Sequence, residues 1–156
     1  MMVCRNTAFI RVLTGALIVF AVLSAMVPAQ AQQRGARVNY ILRCSGCHGM
    51  DGTGHEQGGI PAFPGYVGSI IDDDEGRTYL MHVPGVVATG LNDREIAEVM
   101  NYVASQWGGN PAFDRFTEEE VRVRRATAVA DVVEFRRILA RRLLSAGKPL
   151  APYPWP

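Results

Sequence analysis

Hydrophobic residues change their pattern along the 156-residue chain. From Val12 to Val27 they run without a charged residue, and Leu, Ile, Val, Ala and Phe dominate. Further on they recur at helical spacing. Ala36 to Cys44 predicts a helix, with Tyr40 one turn before Cys44. Ile96, Val99, Met100 and Val103 predict a longer helix that also carries Tyr102 and Trp107. Asn92 or Asp93 caps its start, Glu95 lies in its first turn, and Gly108-Gly109 ends it. Thr78 to Met81 reads as the end of a short helix between the two. Beyond Asn110-Pro111, Thr117 and Glu120 form a capping box for a helix reaching about Ala130. Asp131 caps another, on which Val132, Phe135, Ile138, Leu139 and Leu143 make an apolar stripe among Arg136, Arg137, Arg141 and Arg142. Gly147 stops it, and Pro149 to Pro156 is extended. The elements are helices throughout, so the expected fold class is all-α.

The uncharged N-terminal run follows Arg5 and Arg11 and leads into Pro28 and Ala29-Gln30-Ala31. A basic start, an apolar stretch and a small-x-small exit describe a secretory signal peptide, here residues 1–31, cleaved after Ala31. The run is shorter than the roughly 20 residues of a spanning helix. Cys4 follows no Leu-small-small sequence, so it is not read as a lipid anchor, and no paired arginines point to twin-arginine export. The mature chain is therefore expected in the periplasm, without a membrane span.

Length allows one ordinary domain, and 48% hydrophobic residues allow a packed core. A net charge of +1 argues against a nucleic-acid binder working by phosphate neutralisation. That figure hides a division. Residues 32–112 hold five basic and nine acidic residues, a net of −4, whereas 113–156 hold nine and six, a net of +3. Residues 113–156 are expected to fold back on the acidic 32–112 through the apolar stripe and opposite charge. The alternative is that they form a helix docking a partner protein. The acidic run Asp72-Asp73-Asp74-Glu75 is expected to be a solvated loop, or alternatively a patch that meets a basic partner.

Three cysteines are too few for a disulfide scaffold, and cleavage after Ala31 leaves Cys44 and Cys47. They stand in Cys44-Ser45-Gly46-Cys47-His48, the attachment sequence of c-type haem. Two thiols one short gap apart can add to the two vinyl groups of one macrocycle. The adjacent imidazole then reaches the iron as proximal ligand. A zinc ribbon would need a second Cys/His pair, and a thioredoxin-like pair would need a βαβ setting; neither is present. One covalent haem c is expected.

With this motif in view, residues 36–108 resemble the class I c-type cytochromes. The resemblance implies a contact between Tyr40 and Tyr102 where the first and last helices cross. Gly59-Ile60-Pro61-Ala62-Phe63-Pro64-Gly65 resembles the loop whose proline carbonyl accepts the Nδ1–H of the proximal histidine. Pro61 fits that role, with Pro64 or a purely loop-forming proline as alternatives. Family members commonly carry a distal methionine. Met50 is tied to the proximal side, and Met100 lies among core positions. Met81-His82-Val83-Pro84-Gly85 resembles the distal-ligand run and assigns Met81, with His82, His55 or an open site as rivals. The implied organisation is a cytochrome c domain at 32–112 followed by a helical, Arg-rich extension at 113–156. The implied function is single-electron transfer between redox partners such as a periplasmic dehydrogenase or oxidase. No substrate-directed nucleophile or acid–base set appears, so the chain is not read as an enzyme by itself. The alternatives are a cytochrome subunit within a dehydrogenase complex, or a haem-based ligand sensor or peroxidase if the sixth site is open.

Overall fold

The computed structural model describes residues 35–154. The expected signal peptide, with Cys4 and the Ala31 cleavage site, lies outside them. Among the described residues the elements are α1 (Ala36–Arg43), α2 (Ser45–His48), a 3-10 turn (Glu56–Gly58), α3 (Val67–Ile71), α4 (Asp74–Leu80), α5 (Pro84–Val87), α6 (Asp93–Trp107), α7 (Glu118–Ala126) and α8 (Val132–Ser145). A single antiparallel bridge between His55 and Ile60 is the extended pairing among them. The fold is all-α, as expected.

Side-chain caps fix the starts of α4, α6, α7 and α8. Asn92 accepts the Glu95 N–H at 2.9 Å while the Glu95 carboxylate accepts the Asn92 N–H at 3.0 Å, a reciprocal capping box for α6. Asp131 accepts the Val133 and Glu134 amides at the head of α8. Thr117 caps α7 by accepting the Glu120 N–H, but the Glu120 carboxylate turns away to Arg77, so only half of the expected box forms. The helix also ends sooner than expected, at Ala126, because Thr127 has extended backbone.

The core sits where α1 crosses α6. Tyr40 lies 5.4 Å from Tyr102 and 5.3 Å from Trp107 between ring centroids. Ile96, Val99 and Val103 bury the facing side of α6, each contributing roughly 1.5–3 kcal/mol by leaving water. α3 and α4 close the cluster with Val67, Ile71 and Met81. α3 comes so near the end of α6 that a Cβ on Gly68 would stand 2.0 Å from the Gly108 carbonyl oxygen.

The segment after Asn110 folds back on this core, as its charge and apolar stripe predict. Phe116 and Val121 join the cluster, and Asn101 binds both the N–H and the carbonyl of Phe116. Arg77 of α4 makes paired 2.6 Å bonds to Glu120 and lies 3.6 Å over the Phe116 ring. Two expectations are corrected. The acidic run is not a solvated loop: Asp73 caps α4, Asp73 and Glu75 bind Arg142, and Asp74 binds Arg124. Asp73, Asp74 and Glu75 are thus paired within the chain, while Asp72 stays exposed. Ile138 does not join the buried stripe and is 49% exposed. At about 100° per residue it sits roughly a quarter turn from the line of Phe135, Leu139 and Leu143.

Candidate functional site

α1 delivers the motif. Its C-cap is Cys44, and the chain turns at once into α2, where the Cys47 and His48 amides both reach the Cys44 carbonyl, at 3.2 and 3.0 Å. One helical turn therefore presents both thiols and the imidazole. The thiols are not bonded to each other; Cys44 is half-buried and Cys47 exposed. Burial, with the neighbouring Cys47, pushes the Cys44 thiol up to about 11.

Residues 49–63 form a loop that cradles His48. Gly54 donates its N–H to the His48 carbonyl at 2.9 Å, and Phe63 donates to the Gly52 carbonyl at 2.8 Å. The Tyr40 hydroxyl donates to the Gly49 carbonyl at 2.6 Å, tying the loop to the α1–α6 crossing. Burial raises the Tyr40 phenol to about 12, so the donor keeps its proton. Within the loop, His55 and Ile60 exchange both backbone bonds and bring Pro61 back over the motif. Gly54 is essential to that turn. It has φ +64°, and a Cβ there would stand 2.5 Å from the Ile60 carbonyl oxygen and 2.6 Å from that of Pro61.

The Pro61 carbonyl oxygen lies 3.1 Å from His48 Nδ1. A carbonyl can only accept, so Nδ1 carries the proton and Nε2 keeps its lone pair. Phe63 stacks on the imidazole, with centroids 4.1 Å apart and planes 18° off parallel. Burial lowers the His48 pKa and favours the neutral ring, with the Pro61 bond acting in the other direction. The donor set therefore fits a c-type haem: two free thiols and a neutral, oriented imidazole with one nitrogen open.

The three expected distal candidates lie in different settings. Met81 is the C-cap of α4 and only 1% exposed, within the core cluster. His82 has Nδ1 2.9 Å from the Thr78 carbonyl and Nε2 2.9 Å from the Thr127 carbonyl. The exposed His55 accepts the Gly58 N–H on Nδ1 at the head of the 3-10 turn. Among the described residues no group of three or more His, Cys, Asp and Glu is arranged to hold a metal ion by itself. Sequence reasoning does not single out Phe63 as a site residue. Its signal is an aromatic held between Pro61 and Pro64, beside the residue expected to orient His48.

A helical fold in which a Cys-x-x-Cys-His turn, a proline carbonyl and a crossed aromatic helix pair converge defines a class: the chain belongs to the class I monohaem c-type cytochromes. It is 34% identical over 131 residues to a cytochrome c-552 of Thermus thermophilus, covering 70% of this chain and 85% of that protein. A second cytochrome c-552 of the same organism is 34% identical over 116 residues, 61% of this chain and 86% of its own length. No family model matches the sequence. The protein carries one covalently attached haem c and acts as an electron-transfer cytochrome toward redox partner proteins.

Proposed function

We propose that this chain is a periplasmic electron carrier, with haem attached at Cys44 and Cys47 and His48 as proximal ligand, oriented by the Pro61 carbonyl. When bound, the haem supplies an iron that cycles between ferric and ferrous states. The chain contributes the rest. Cys44 and Cys47 fix the macrocycle to α2. The Pro61 acceptor selects the tautomer that leaves Nε2 for iron and strengthens the imidazole as a donor. Phe63 holds the ring plane from one side.

The observation that carries this reading is the 3.1 Å His48 Nδ1–Pro61 contact on the motif turn. Export supports the periplasmic assignment, since residues 1–31 have the pattern of a cleaved signal. No helix among the described residues is long and apolar enough to cross a membrane. A dehydrogenase or an oxidase is the partner class that fits, and membership in a dehydrogenase complex is the alternative form of the same role. The test is expression with a periplasmic haem-attachment system, followed by intact mass and potentiometric titration. One haem per chain and a one-electron transition are expected. Loss of the haem mass in Cys44→Ala/Cys47→Ala completes the result. A wild-type chain without covalent haem, or one that never titrates reversibly, refutes it.

A further inference from the structure

We propose that the sixth iron position of this cytochrome is filled by no side chain and binds a small neutral diatomic molecule, of the carbon monoxide or nitric oxide class. This rests on the haem attachment proposed above.

Imidazole and thioether donors can be followed one by one among the described residues. On the proximal side are Met50 and His55. Met50 lies two residues beyond His48 and is 58% exposed. His55 is bridged to Ile60, next to the Pro61 that holds His48 Nδ1, and its own Nδ1 caps the 3-10 turn. A ligand from the opposite face must come from beyond Pro64, where Met81, His82 and Met100 remain.

Each of these is committed to the protein. Protein atoms enclose Met81 on every side, and Met100 lies in the same cluster on α6. The groups that must touch the macrocycle are covered far less: Cys47 is exposed, and Cys44 and His48 are half-buried. A sulfur that bonds iron needs the same kind of open face, and Met81 has none. His82 has both ring nitrogens on backbone carbonyls, one within α4 and one at the end of α7. A neutral ring donates to only one of these carbonyls, so turning it to iron would cost that one bond.

The chain between His82 and α6, which the proposal sets over the sixth position, also indicates the ligand class. Val83, Val86, Val87 and Ala88 make it apolar. The Thr89 hydroxyl is spent on the Val86 carbonyl and the Leu91 N–H, and Asn92 on the α6 capping box. A bound anion needs hydrogen-bond donors or a nearby cation; a neutral diatomic on ferrous iron does not.

The test uses the purified holoprotein with carbon monoxide as probe. Intact mass is measured first: absence of the haem increment overturns the attachment reading and this proposal with it. With haem attached, the reduced protein is titrated with carbon monoxide and followed by absorption. A high-spin ferric spectrum and binding of one carbon monoxide per haem are expected. In Met81→Leu and His82→Gln the affinity should stay within about threefold of wild type. A low-spin spectrum bearing the sulfur-to-iron charge-transfer band, with no binding until Met81 is replaced, overturns the proposal. So does binding that rises at least tenfold, roughly 1.4 kcal/mol, in His82→Gln.

Discussion

Arg77 is the residue through which α4 holds the C-terminal segment, and replacing it tests the energetics of that attachment. Its side chain is 9% exposed and Glu120 is 21% exposed. Arg77→Met keeps much of the volume but removes both 2.6 Å bonds to Glu120, the bonds to the Ile71 and Asp114 carbonyls, and the stacking over Phe116. Breaking a buried pair costs about 3–5 kcal/mol, chiefly because one charge is stranded. Glu120 is not fully stranded, since it retains Arg124 at 2.8 Å and some water. The low end, about 3 kcal/mol, is therefore the expected cost. For a chain of this size that is a fall in Tm of about 10 °C. Thermal unfolding of the holoprotein by far-ultraviolet circular dichroism measures it. Replacing both partners, Arg77→Met with Glu120→Leu, should cost clearly less than the sum of the single changes, because neither charge is left alone. A Tm drop under about 3 °C in Arg77→Met, or strict additivity in the double variant, would refute the reasoning.

Acid should loosen the same attachment. Hydrogen bonds from Arg142 hold Asp73 below the usual carboxylate range; at Glu120 burial pushes upward, but the bonds from Arg77 and Arg124 outweigh it. Both pKa values are depressed by folding, so their contribution is present above the unfolded carboxylate pKa, roughly 4, and is lost as pH falls through the folded values. Urea midpoints should drop as pH is lowered below about 4, and Arg142→Ala should lose part of that slope; equal slopes in both proteins would count against the assignment. Gly54→Ala should press on the Pro61 carbonyl and weaken its bond to His48. If about 1 kcal/mol of ferric stabilisation is lost, the reduction potential rises by about 40 mV, and an unchanged or lower potential in a redox titration contradicts this. Tyr40→Phe removes the 2.6 Å bond to Gly49 without disturbing the aromatic cluster. It should cost about 1 kcal/mol in urea unfolding, and a neutral result would mean the hydroxyl does not tie the loop to the helix crossing.

Most of the features legible in the sequence are set by residues near one another along the chain. The Cys-x-x-Cys-His turn needs a single helical turn, and the α6 cap needs Asn92 and Glu95 three apart. The α1–α6 crossing is readable because aromatic residues mark it in both helices. The acidic run misleads because local composition cannot count partners from a distance. Asp73, Asp74 and Glu75 look solvated until Arg124 and Arg142, about 50 and 70 residues away, return to them. Thr117 and Glu120 fail as a full box for the same reason, since Arg77 outcompetes a backbone amide for the carboxylate.

The assignment of Met81 as distal ligand rests on the same kind of local evidence. The short run Met-His-Val-Pro-Gly points to Met81 because it shares its spacing with runs that carry a ligand. Spacing says how far a side chain lies from the next helix but not which way it faces. At the C-cap of α4 the side chain of Met81 falls on the side shared with Tyr40, Ile71 and Ile96, where burying a thioether gains roughly 1.5–3 kcal/mol. His82, one residue on, ties α4 to the end of α7. The C-terminal segment thus holds the stretch expected to supply the sixth ligand, through Arg77 to Glu120, Asp74 to Arg124 and His82 to Thr127. On the open-site proposal, Met81 would reach iron only by a turn at the end of α4, against those three ties. Cutting the ties therefore gives a direct comparison. If Arg77→Met raises carbon monoxide affinity only slightly, the distal side was already open. If it converts a high-spin ferric spectrum to a low-spin one, the C-terminal segment is what keeps Met81 from the iron.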